Sequence, residues 1–175
     1  MMREKNRRLI SPLGWQQRAF ALGLCAMVIW LGAGVGLIQY AHADGRYWSD
    51  PTTGFALGGY DVVSYWSSSG PVLGSEEYEV RWENVTWRFS NRGNCEEFLK
   101  HADLYAPLFS GYGAYAVSQG KAPRGNPEIW TIADNKLYFF YSLDAKTKWG
   151  LARKKFIREA MKYWPKLKRK IAYSS

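Results

Sequence analysis

Residues 107–121, PLFSGYGAYAVSQGK, hold three aromatics (Phe109, Tyr112, Tyr115) and three glycines (Gly111, Gly113, Gly120), with no charge before Lys121. The aromatics favour burial, and the glycines permit turns or close backbone approaches that a side chain would block. This segment is read as the hub of the fold because a period-two pattern flanks it on each side. Upstream, Tyr78, Val80 and Trp82 alternate with Glu77, Glu79, Arg81 and Glu83; past Asn84, Val85, Trp87 and Phe89 alternate with Thr86, Arg88 and Ser90. That predicts a β-hairpin turning near Asn84, a residue that tolerates the left-handed conformation. Downstream, residues 129–133 and 136–142 predict a second hairpin across Asp134-Asn135, with Trp130, Ile132, Leu137, Phe139 and Tyr141 facing inward.

Helical signals surround the hairpins. In residues 54–66, GFALGGYDVVSYW, Gly58-Gly59 predicts a turn, and Asp61 is placed to cap a short helix turning Val62, Val63, Tyr65 and Trp66 inward. Residues 91–101 predict a helix capped by Asn91 or Asn94, with Cys95, Phe98 and Leu99 at helical spacing. From residue 144 to about 164, Trp149, Ala152, Phe156, Ala160, Trp164 and then Leu167 recur every three or four positions as one apolar stripe. Pro165 should kink or end that helix, leaving KLKRKIAYSS frayed or partner-bound. The expected fold is α+β: a small domain of two antiparallel β-hairpins with flanking short helices and a C-terminal amphipathic helix, preceded by one N-terminal transmembrane or signal helix.

Charge divides the chain sharply. Residues 146–175 hold eleven basic residues against Glu159 alone, whereas residues 44–145 hold eight basic and thirteen acidic residues, a net −5. The overall charge of +9 thus describes a basic tail on an acidic body. No basic stripe interleaves with the body's aromatics, so nucleic acid is not expected as a partner. Residues 1–18 form a basic n-region, and residues 19–38, AFALGLCAMVIWLGAGVGLI, contain no charge. Twenty such residues suffice to cross a bilayer, and the preceding cations would keep the N-terminus in the cytoplasm. Ala41-His42-Ala43 offers a small-x-small processing site, so cleavage after Ala43 to give a soluble periplasmic protein is the alternative. The apolar run exceeds the usual signal-peptide core, which favours a retained signal-anchor in a bacterial inner membrane with the folded domain in the periplasm. The expected divisions are 1–18, 19–38, a connector at 39–53, the core domain at 54–143, and the basic amphipathic helix and tail at 144–175.

Candidate chemistry is sparse. Tyr60, Asp61, Tyr112, Gly113 and Tyr115 are the candidate pocket residues, although capping accounts for Asp61 and core packing for the tyrosines. Cys95 and His101 are the only candidate metal ligands outside the apolar run apart from His42, which lacks evident partners. No CxxC pair, disulfide framework, phosphate loop or Ser-His-Asp grouping stands out, and no cofactor is expected. The basic helix presents Arg153, Lys154, Lys155, Arg158, Lys162, Lys166, Lys168, Arg169 and Lys170 to anionic lipid or to an integral membrane protein complex.

The segments ALGGYDVVSYW, VTWRFSNRGNCEEFLKHADLYAP, SGYGAYAVSQGK, WTIADNKLYFFYS and KYWPKL occur in an order that resembles the bacterial exported YHS-domain proteins, from about Gly54 to Leu167. The resemblance implies a small α+β fold and an export signal, and it brings no enzymatic reaction with it. Metal-binding relatives place cysteines directly after the hairpin phenylalanine and five positions after it. Here those positions are Ser90 and Asn94, and Cys95 falls one place later. Related exported proteins often carry cysteine where this chain has Gly113. The expected function is therefore a non-catalytic accessory or interaction subunit of a membrane complex, or a small-ligand binding module. A periplasmic metal-binding or redox module is the first alternative, and a small-molecule enzyme with an aromatic pocket the second.

Overall fold

The computed structural model describes residues 47–173, so the expected span at 19–38 and the processing site after Ala43 lie outside the described residues. Among the described residues the fold is α+β, with two antiparallel two-stranded sheets and four helices. In the first hairpin, β1 (Ser75–Trp82) pairs with β2 (Val85–Phe89), setting Trp82 opposite Val85 and Val80 opposite Trp87. Glu83 and Asn84 form its turn with φ of 49° and 61°. Two left-handed residues match the right-handed twist of the strands they join. The second hairpin joins β3 (Asn126–Ala133) to β4 (Lys136–Phe140) through Asp134 and Asn135, at φ 49° and 54°.

The two hairpins are buried differently. On β2 alternate side chains enter the core, Val85, Trp87 and Phe89, while Thr86 and Arg88 keep partial exposure. On β4, Leu137, Tyr138, Phe139 and Phe140 are all buried. Leu137 and Phe139 join a first cluster with Trp87, Phe89, Val62 and Tyr65, and Trp130 and Ile132 pack against it. Tyr138 and Phe140 join a second, with Phe109, Val117, Trp149 and Ala160. The second hairpin is thus a partition between two aromatic cores. Tyr141 does not continue its inward face: β4 ends at Phe140, and Tyr141 is 46% exposed. The chain turns there because Ser142 caps the next helix, its hydroxyl accepting from the Ala145 N–H at 3.2 Å.

Helix α1 (Arg92–Tyr105) begins at Asn91, whose side chain accepts from the Asn94 N–H at 2.9 Å. It runs past the expected end at 101, although His101 itself departs from helical geometry. Its inward stripe is Cys95, Phe98, Ala102 and Tyr105, spaced by three or four residues, so Leu99 falls off the stripe and is 59% exposed. A short 3₁₀ turn at Leu57–Gly59 contains the expected Gly58-Gly59 turn, and another at Ser64–Trp66 stands where a short helix was expected. Tyr47 and Trp48, from the stretch read as a connector, pack into the first cluster, and the Trp48 N–H donates to the Ser110 carbonyl at 2.8 Å.

The hub lies against the second hairpin. Phe109, Ser110 and Gly111 occupy the left-handed region in succession, at φ 57°, 52° and 84°. For Phe109 and Ser110 this costs roughly 1–2 kcal/mol each, which burial of Phe109 against Trp164 and Tyr138 offsets. Gly111 is required: a Cβ there would lie 2.8 Å from Leu57 Cδ2. Gly113 then bridges to Phe139, and Tyr112 to Arg124, before the short α2 (Ala114–Ser118).

The C-terminal helix is two helices. α3 (Leu143–Leu151) breaks at Ala152, and α4 (Arg153–Tyr173) follows. The apolar stripe still holds across the break, since Trp149 and Ala160 are buried and Phe156, Trp164 and Leu167 pack on the second cluster. Pro165 lies inside α4, which continues eight residues beyond it. The helix survives because Trp164 and Leu167, on either side of the proline, are both held by packing, which outweighs one missing backbone hydrogen bond. Among the described residues no helix is long and apolar enough to cross a membrane.

Candidate functional site

Asp61 is fully buried and accepts at both carboxylate oxygens. Oδ1 takes the Val63 N–H at 2.9 Å and the Ser64 N–H at 3.3 Å, which is the expected cap. Oδ2 takes the Ser90 N–H at 2.8 Å, the Ser90 hydroxyl at 2.7 Å and the Asn94 side-chain amide at 2.7 Å. One carboxylate therefore ties the 3₁₀ turn to the end of β2 and the start of α1. Beside it lies an open cleft of about 420 Å³, lined partly by Ser64, Ser67, Ser69, Ser90 and Asn94. Ser90 and Asn94 are two of its lining residues. In this chain the two positions are neighbours, but they are spent on hydrogen bonds to Asp61.

The five candidate pocket residues are spread over the fold. Tyr60 pairs through its hydroxyl with Glu128 Oε1 at 3.3 Å. Its hydroxyl pKa is raised, by burial first and then by the Glu128 carboxylate. Tyr115 packs edge-on against Phe156 at 5.1 Å, and Tyr112 lies 6.0 Å from Trp164. Tyr112 lines an open cleft of about 440 Å³ with Lys121, Arg124, Leu167 and Lys170; Tyr60, Asp61, Gly113 and Tyr115 are not part of its lining. At Gly113 an added Cβ would meet the Tyr141 ring and backbone at 3.4 Å, an ordinary contact distance.

Cys95 and His101 lie six residues apart on α1, which places them on different helix faces. Cys95 packs against the first cluster, and burial, followed by Glu96, raises its thiol pKa. A raised pKa leaves less thiolate, the form that binds metal. His101 is exposed, with Nε2 4.0 Å from Glu97 Oε1. No group of three or more His, Cys, Asp or Glu side chains converges among the described residues.

Helix α4 carries the densest charge. Lys154, Lys155, Arg158, Lys162 and Lys166 are exposed and make no ion pair among the described residues. Arg153 differs, reaching Asp134 at 3.6 Å. Where α3 meets α4, an open cleft of about 600 Å³ is lined by Thr131, Trp149, Arg153, Lys154, Lys155 and Arg158, among others. Trp149 is buried, and its indole N–H has no acceptor among the described residues. At the same corner Leu151 is 83% exposed. Reading the sequence as one continuous helix hid this corner. Its signal was an apolar residue off the stripe directly before Ala152-Arg153-Lys154-Lys155. Comparisons with protein-family models, with curated proteins and with solved structures match nothing to this chain.

Proposed function

We propose that this chain is a membrane-anchored periplasmic protein of the YHS type in a bacterial inner membrane, acting as a non-catalytic accessory or interaction subunit. The observation that carries the reading is the run of exposed cations along α4, Lys154 to Lys166, that make no ion pair among the described residues, on a body that is otherwise net acidic. Each lysine or arginine near an anionic membrane surface contributes about 1 kcal/mol, falling off within a Debye length. The uncharged run at 19–38 and the cations before it support the same placement from the sequence. The half-buried Cys95 and the neutral partners of Asp61 offer no converging ligands or acid–base pair, so an interaction role suits the chain better than chemistry does.

Carbonate extraction of native membranes, followed by native electrophoresis and mass spectrometry of co-migrating proteins, tests this. The expected result is a chain that stays in the membrane pellet with its N-terminal residues and migrates with a larger assembly. A chain released by carbonate, starting after Ala43 and migrating alone, would sink the reading.

A further inference from the structure

We infer that the corner between α3 and α4 is the point at which the domain meets the bilayer, with Leu151 entering the acyl region and Arg153, Lys154, Lys155 and Arg158 holding the phosphate of an anionic lipid headgroup. This rests on the membrane-associated reading above and narrows it to one place. Three observations converge there. Leu151 is 83% exposed, and around neighbouring Gly150 a built Cβ would find nothing within 4 Å, so the corner projects. Beside it the open cleft of about 600 Å³ has four cations and no acid in its lining. Its wall includes Trp149, whose buried indole N–H lacks an acceptor among the described residues.

An isolated exposed leucine needs no explanation, and neither does a lysine pair. Their juxtaposition does. An interfacial contact puts an apolar side chain below the headgroups and cations at the phosphate level, and this corner carries both kinds of group within a few residues of each other. Asp134 is engaged by Arg153 at 3.6 Å, a contact that holds the guanidinium at the cleft wall, and Lys154, Lys155 and Arg158 make no ion pair among the described residues. The rest of α4 also carries cations, but its exposed apolar residues, Met161 and Tyr163, are 47% and 39% exposed, well below Leu151.

The test uses the full chain with Cys25→Ser and Cys95→Ser, spin-labelled at Leu151→Cys and placed in nanodiscs of phosphatidylcholine alone or mixed with phosphatidylglycerol. Power saturation against oxygen and a water-soluble nickel chelate reads the depth of the label. The expected result is a label in the acyl region only in the mixed disc, returned to water by Lys154→Glu with Lys155→Glu, while a label at Thr52→Cys stays aqueous throughout. On the unlabelled chain, amide exchange over residues 150–158 slows in the mixed disc, and Leu151→Ser abolishes the slowing. A label that stays aqueous, equal depth in both discs, or the same amide protection from millimolar inorganic phosphate without lipid would each overturn the inference. Loss of the anchor shows separately, as release by carbonate. In that event the same label, read with vesicles of the two compositions, still decides the corner.

Discussion

The two hairpins share a turn geometry and differ in what surrounds them. The first buries one face, so β2 alternates between core and partial exposure, and besides its core contacts it carries a polar tie through Asp61. The second is covered on both faces, and the hub approaches it closely through the backbone: Gly113 bridges to Phe139, the Gly125 N–H donates to the Gly111 carbonyl at 3.0 Å, and a Cβ at Gly125 would collide with Phe139 Cβ. One element adds a buried carboxylate to its core contacts and the other a close backbone approach. The difference teaches that in this chain two similar supersecondary units depend on different residue types, so each should break in its own way.

The largest expected effect lies in the strand cores. Phe139→Ala and Phe140→Ala, adjacent residues on opposite faces of β4, should each cost about 3–5 kcal/mol, because each leaves a cavity in a different cluster. On β2 the adjacent pair should separate: Trp87→Ala at about 3–5 kcal/mol, and Arg88→Ala at about 1 kcal/mol for its lost contacts with Glu79 and the Phe55 ring. Urea denaturation of the four variants decides it. A mild Phe140→Ala would mean that the second cluster contributes little to the global transition.

That asymmetry also marks what the sequence could disclose. The first hairpin was legible because one-sided burial writes a period of two into Tyr78, Val80 and Trp82 and into Val85, Trp87 and Phe89. In LYFFY of the second hairpin the strand itself was legible, but Tyr138 and Phe140 were assigned no core, because two-sided burial erases the alternation. The cap at Asp61 could be read from local spacing; its bonds to Ser90 and Asn94, 29 and 33 residues away, could not. The break at Ala152 was invisible for a related reason. The apolar stripe continues in phase across it, and only tertiary packing determines that the backbone turns.

Next in size is Asp61. Asp61→Ala removes the acceptor for five hydrogen bonds and should cost about 3 kcal/mol, less than the sum of the bonds because Ser90 and Asn94 retain some access to water. Amide exchange should place the loss at the junction of β2 and α1 and leave β3 and β4 protected. Uniform loss across both hairpins would show that the polar tie supports the whole fold. At the steric tie the contrast is between two glycines. Gly111→Ala must accept φ +84° and a collision with Leu57, an expected cost of about 2–3 kcal/mol. Gly113→Ala meets Tyr141 at 3.4 Å and should cost less than about 1 kcal/mol. Thermal unfolding of the pair checks this, and equal losses would mean that the contact with Tyr141 at Gly113 is as tight as the contact with Leu57 at Gly111.

The smallest effect probes the geometry the hairpins share. Asn135 occupies the second turn position at φ 54°, where glycine has no Cβ to strain. Asn135→Gly should therefore stabilise by about 0.5 kcal/mol, the relief of strain being partly cancelled by the greater freedom of glycine in the unfolded chain. Asn135→Ala should destabilise by about 1 kcal/mol, because alanine lacks the local hydrogen bonding that lets asparagine tolerate this region. The same pair of changes at Asn84, at φ 61°, should give matching values if each turn is an independent local element. A larger response at Asn84 would mean that the first hairpin relies on its turn to set the register, which in the second is already fixed by clusters on both faces.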